Sequence, residues 1–194
     1  DKGHTREDFL HVVEVFRSLG LALHPTFVPF SPWTTLESYL DLLHVIGEQG
    51  LAENVAPIQL GIRLLIPEGS RLLELNEIRD MVEPFDARAL FYPWKNKDPR
   101  VDELSVAVQA IASDGEKKKE ARSTSFARIW KAAHDAADSI APTWSVTLHP
   151  AVVPFLSEPW YCCAEPTNDQ LVSIGRVAKT RSQEPVTVSA DGFV

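Results

Sequence analysis

Two compact apolar runs, residues 21–30 and 54–67, alternate with two stretches whose apolar residues recur at helical spacing, and this order limits the fold more than any other feature of the chain. The first helical stretch begins at Thr5, an N-cap with Asp8 three positions on in the place usually taken by Glu. It carries Phe9, Val12, Val13, Phe16 and Leu19 before Gly20 ends it. The second covers residues 36–50, with Thr34 or Thr35 as its cap. Leu36, Tyr39, Leu40, Leu43, Val45 and Ile46 lie largely along one broad apolar side, and Gly47 and Gly50 close it. The run 21–30 is short, rich in β-formers and ended by the turn Ser31-Pro32-Trp33, so it predicts a buried strand; residues 54–67, bounded by Pro and Gly, predict another.

Helix, strand, helix, strand with short connections predicts an α/β fold of βα units with a parallel sheet. Pattern alone leaves a barrel and a doubly wound sheet equally open. Side chains alternate across a strand, so His24, Thr26 and Val28 are expected on one face, and Gln59, Gly61 and Arg63 on one face of the next strand. A strand covered on both sides rarely carries an Arg, because an unpaired buried guanidinium is costly. Arg63 therefore either faces a ligand or sits at a strand end paired to a carboxylate.

Beyond Pro67 the βα rhythm breaks down. Residues 69–82 read as helical, 87–94 as a strand or extended piece, and 101–112 and 116–140 as helices joined at Asp114-Gly115. Phe126, Ile129, Trp130, Ala133 and Ala137 form an apolar stripe that reads as core. The cationic run Lys117-Lys118-Lys119 lies between Glu116 and Glu120 and reads as a solvated helix face. From Pro142 the chain is Pro-rich and extended. Three parts follow: βα units over 1–83, a helical extension over 84–141 and a tail over 142–194.

With 194 residues and 44% apolar content the chain can bury one good core. Its net charge of −8 and pI near 5.2 argue against a nucleic-acid footprint, which needs clustered Lys and Arg. No apolar stretch reaches the roughly 18 residues of a membrane span, and there is no secretory leader pattern, so a cytoplasmic protein without membrane or nucleic-acid partners is expected. The opening residues Asp1-Lys2-Gly3-His4-Thr5 read as the end of a loop, with sequence expected before them.

The two cysteines are adjacent, Cys162-Cys163, which excludes a spaced disulfide framework and a complete Cys-only metal site, so no metal ligands are assigned within this chain. Two neighbouring thiols can chelate or oxidise as a unit, or pack as small apolar groups beside Trp160 and Tyr161. His24, His134 and His149 stand alone, and of these only His24 also falls on the predicted strand face. A His-Glu-x-x-His pair, a Gly-rich phosphate loop and a nucleophile elbow are all missing from the sequence.

Three blocks together resemble a known family. The run from Thr26 to Glu37, TFVPFSPWTTLE, is similar to the strand, turn and helix start of radical S-adenosylmethionine (SAM) barrels. More distinctive are the block from Asn54 to Glu74, NVAPIQLGIRLLIPEGSRLLE, and the tail Trp160-Tyr161-Cys162-Cys163-Ala164-Glu165-Pro166. They resemble the CUAEP/CCAEP-tail radical SAM proteins, in which the first residue of the tail motif is selenocysteine or, as here, cysteine.

That resemblance implies the C-terminal part of a partial (β/α)6 barrel with a mainly helical extension and an extended tail. It also implies a 4Fe–4S cluster whose Cys-x3-Cys-x2-Cys ligands lie outside this chain, SAM as cofactor, a reductant protein as partner and a small or unknown substrate. Within this chain it points to Thr26, Gln59 and Arg63 at the cofactor, His24 at the substrate, and Cys162, Cys163 and Glu165 in catalysis. Such a piece is expected to be inactive alone. A stand-alone small-molecule-binding or thiol-redox module built on the cysteine pair is the competing expectation.

Overall fold

The computed structural model describes residues 3–142. Helix α1 (Arg6–Ser18) starts at Thr5, whose side chain accepts from the Asp8 amide while the Asp8 carboxylate accepts from Thr5 N. This reciprocal cap satisfies two amides that the first turn leaves without partners, and it holds the Asp8 carboxyl below its ordinary value through the hydrogen bonds from the Thr5 backbone and side chain. Gly20, at φ +65°, follows the helix end. Helix α2 (Leu36–Glu48) is capped by Thr35, whose hydroxyl accepts from Ser38 N. Thr34 instead folds back over the turn, donating to Pro29 O and accepting from Ser31 N.

The chain then coils into two 3-10 helices, Pro57–Gly61 and Arg71–Glu74, and the single turn α3 (Asn76–Arg79), before α4 (Pro99–Lys118) and α5 (Arg122–Ala136). Asp98 caps α4 by accepting from Arg100 N, and Pro99 occupies the first helical position, where its missing N–H costs nothing. The reversal into α5 is made at Lys119, in the left-handed region at φ +53°.

The expected α/β barrel portion is overturned. Among the described residues there is no sheet or barrel, and β pairing is confined to the isolated bridges Phe30–Arg63, Pro67–Phe91, Val82–Trp94 and Asp86–Phe91, of which the first is parallel. Phe30 N donates to Ile62 O and Leu64 N to Phe30 O, flanking α2 as a parallel pair would, but the pairing goes no further. The reason is local. Pro57 carries no donor and sets its own φ, and residues 57–61 spend their backbone groups on a 3-10 coil, so the run 54–67 offers no continuous ladder to the run 21–30.

The helical reading of 69–82 reduces to the 3-10 helix and α3, and the joint expected at Asp114-Gly115 lies inside α4. Gly115 is there for packing. A Cβ built on it would collide with Ser125 Oγ of α5, so the glycine lets the two helices approach closely.

The main core joins Val13, Phe30, Leu36, Tyr39, Leu43 and Ile46 with Leu60, Val108, Phe126, Ile129 and Ala133. It therefore draws on residues from both sides of position 83. Phe30 stacks on Tyr39 with ring centroids 4.7 Å apart, and the Tyr39 hydroxyl donates to Leu60 O at 2.9 Å, anchoring the 3-10 turn to α2. Burial pushes the Tyr39 phenol well above its ordinary value. A smaller core of Ile66, Ile78 and Trp94 lies under the irregular segment between the 3-10 turns and α4. Among the described residues no helix is long and apolar enough to cross a membrane.

Candidate functional site

The run 21–30 places its side chains with a period of two even though it joins no sheet. His24, Thr26 and Val28 are exposed, whereas Leu23, Pro25, Phe27 and Pro29 are partly covered. The two prolines enforce this extension, because the residue before a proline is driven out of the helical region. Phe27 meets Phe9 of α1 edge to face at 5.9 Å, and the Asn54 side-chain amide donates to Leu23 O at 2.9 Å. His24 and Thr26 are thus held outward on one face of a braced segment.

Gln59 and Arg63 are not arranged with them. The Gln59 carbonyl accepts from Phe27 N at 3.0 Å from a buried position, so it serves as the backbone partner that a neighbouring strand would have supplied. Arg63 Nη1 meets Asp102 Oδ1 at 2.7 Å, Nη2 donates to Trp94 O at 2.8 Å, and the guanidinium lies 3.9 Å from the Trp94 ring centroid. Asp102 Oδ2 accepts from Asn96 N, and the Asn96 side chain donates to Thr34 O, both at 2.9 Å. This chain of charge-assisted bonds ties the first turn of α4 to the N-terminal end of α2. Of the two alternatives for Arg63, the structure shows the carboxylate pair.

A second group was not legible from the sequence. His44 of α2 meets Trp130 and His134 of α5, with ring centroids 4.6 Å and 5.7 Å from the His44 ring. His134 is buried, its Nδ1 lies 2.8 Å from Ser139 Oγ, and its Nε2 has no hydrogen-bond partner among the described residues. Burial first, and the neighbouring His44 second, hold the His134 imidazole below its ordinary value, which favours its neutral form. The spacing of Trp130 and His134 on one helix was visible, but the arrival of His44 from α2 depends on helix packing.

Among the described residues there is no set of three His, Cys, Asp or Glu side chains able to hold a metal ion, and no cysteine to ligate a cluster. The Gln59 side chain accepts from Phe27 N, and Arg63 meets Asp102 and Trp94 O, so these contacts of the two residues lie within the described fold. Cys162, Cys163 and Glu165, with His149, lie outside the described residues. No known protein family, curated protein or solved structure matches the chain.

Proposed function

We propose that this chain is the dithiol-bearing part of a radical SAM enzyme: a helical scaffold in which Gln59 and Arg63 hold internal bonds, followed by Cys162 and Cys163 as the reacting pair. The observation that carries this reading is the run from Trp160 to Pro166, in which two adjacent cysteines lie between Pro159 and Pro166 with Glu165 close behind. A thiolate is the soft nucleophile of proteins, and a second one beside it can close onto it as a disulfide or share a soft ligand. In this reading Glu165, two residues after Cys163 in sequence, exchanges the thiol proton. The iron–sulfur cluster and SAM would supply the 5′-deoxyadenosyl radical from residues that this chain does not contain. A reductant protein and a small-molecule substrate belong to the same reading.

A second reading is favoured by the commitment of Gln59 and Arg63 to internal bonds. In it the chain is a thiol-redox or small-molecule-binding module without radical chemistry.

Purification of the native gene product under anaerobic conditions separates the two. Iron, sulfide and 5′-deoxyadenosine formed from SAM with dithionite are measured for wild type, Cys162→Ser and Cys163→Ser. The radical reading expects iron and 5′-deoxyadenosine in all three proteins. A product without iron and without 5′-deoxyadenosine, whose two thiols close reversibly to a disulfide, overturns it in favour of the second.

A further inference from the structure

The contacts of Ser139 assign the tautomer of His134. The Ser139 hydroxyl donates to His134 O at 3.3 Å across the end of α5, and the same oxygen lies 2.8 Å from His134 Nδ1. A hydroxyl has one proton to give. With that proton on the carbonyl, Nδ1 is the donor and Ser139 Oγ the acceptor, so in the neutral imidazole Nε2 carries a bare lone pair. His134 is 4% exposed, and Nε2 has no hydrogen-bond partner among the described residues. A buried acceptor of this kind calls for a Lewis acid, and burial beside His44 disfavours the proton in that role.

A second imidazole stands beside it. The His44 ring lies with its centroid 5.7 Å from that of His134 and nearly perpendicular to it, at 86°. His44 is only partly buried and makes no hydrogen bond among the described residues. Two imidazoles that share one ion place their nitrogens about 2 Å from it, and each nitrogen is about 1 Å from its ring centre, so the centroids stand about 5–6 Å apart. The observed separation falls in that range. Trp130, one turn before His134 on α5, sets its indole 4.6 Å and 5.0 Å from the two imidazole centroids, and an aromatic ring at that distance favours a cation.

The number of donors selects the ion. A zinc centre takes three or four protein ligands, and among the described residues no third His, Cys, Asp or Glu joins the two imidazoles. Copper(I), a soft ion with a filled d shell, is satisfied by two nitrogens in a near-linear arrangement. We infer that His44 and His134 form a two-coordinate copper(I) site, with His134 Nε2 as one donor and a His44 nitrogen as the other. Ser139 is a positioning residue: by accepting from Nδ1 it turns the opposite nitrogen to the metal, as the outer partner of a metal-bound histidine does. The partly exposed His44 gives the ion its way in. The inference is independent of radical chemistry and of the cysteine pair.

The test uses the full chain carrying Cys162→Ser/Cys163→Ser, because thiolates take copper(I) ahead of imidazole. Anaerobic titration with copper(I) against a chromophoric chelator reads stoichiometry and affinity, and X-ray absorption reads the donors. One equivalent is expected, held by two nitrogens at about 2 Å. His44→Phe and His134→Phe are each expected to weaken binding by roughly a hundredfold or more, and Ser139→Ala by roughly tenfold. Urea midpoints of the metal-free variants report the fold, and His44→Phe, at the less buried position, keeps the test open where His134→Phe fails to fold. No bound copper overturns the inference, as does copper that stays bound after the His44 substitution or that carries sulfur in its shell.

Discussion

The Arg63 guanidinium lies 3.9 Å from the centroid of the Trp94 indole while Trp94 O accepts from the same group at 2.8 Å, so one residue receives both the face and the edge of the cation. Asp102 closes the arrangement at 2.7 Å. The side chains keep 14% and 26% exposure, and that decides the size of the effect: this is a half-buried pair, worth more than a surface ion pair and less than a fully desolvated one.

Arg63→Ala is therefore expected to lower stability by about 2–3 kcal/mol, since it leaves Trp94 O and one Asp102 oxygen without their donor and exposes the indole face. Arg63→Lys is expected to recover less than half, because an ammonium cannot reach the carboxylate and the carbonyl together while stacking on the ring. Urea unfolding of the three proteins measures both; a Lys variant as stable as wild type would sink the account.

Gly115→Ala sets helix propensity against packing. Alanine is favoured over glycine in a helix by about 1 kcal/mol, but here the new methyl meets Ser125 Oγ, and overpacking of this kind typically costs about 1–3 kcal/mol. The single variant is expected to be destabilised. In a Ser125→Ala background the hydroxyl is gone and the remaining Cβ is 3.5 Å away, while the Glu120 carboxylate, 3.0 Å from the new methyl, stays, so the same change is expected to cost less than in wild type. A double-mutant cycle by thermal unfolding reads this relief as a favourable coupling.

His134 makes stability depend on pH in a defined direction. Its folded-state value is depressed by burial and by His44, so below about pH 6.5, the ordinary value, the unfolded chain binds a proton that the folded chain resists. The contribution is complete above that pH and is lost as pH falls through the folded-state value. Asp135 opposes the depression without reversing it. Urea midpoints at pH 7.5 and 5.5 are expected to differ more for wild type than for His134→Phe; equal differences would show that this imidazole is not the source.

Tyr39 acts at the other end of the scale. Its folded-state value is raised by burial, so the neutral phenol is required by the fold, and stability is present below about pH 10 and lost as pH rises above it. Tyr39→Phe is expected to cost about 1–2 kcal/mol at neutral pH, because Leu60 O loses its donor. The same variant should flatten the alkaline limb of the stability profile, which denaturant titrations at pH 8 and 10.5 will show.

What the sequence determined by itself was local. The Thr5–Asp8 cap, Gly20 at the end of α1, the start of α2 at Thr35 and the buried stripe Phe126, Ile129, Trp130 and Ala133 are all present as expected, because a helix closes its hydrogen bonds within four residues and its caps within three. That His24 and Thr26 share one face was legible for the same reason, since two prolines extend that segment without help from elsewhere, but the buried strand that this face was expected to belong to is not formed and both residues are exposed. Tertiary structure decided the rest. Whether the runs 21–30 and 54–67 become a sheet depends on distant partners, and Pro57–Gly61 withdrew one of them, leaving Phe30–Arg63 as a lone parallel bridge. Gly115, which resembles a helix joint in sequence, is a point of contact because Ser125 lies opposite it. Arg63 became a structural cation only because α4 brings Asp102 to it from 39 residues away, a proximity that no local pattern of apolar and polar residues can encode.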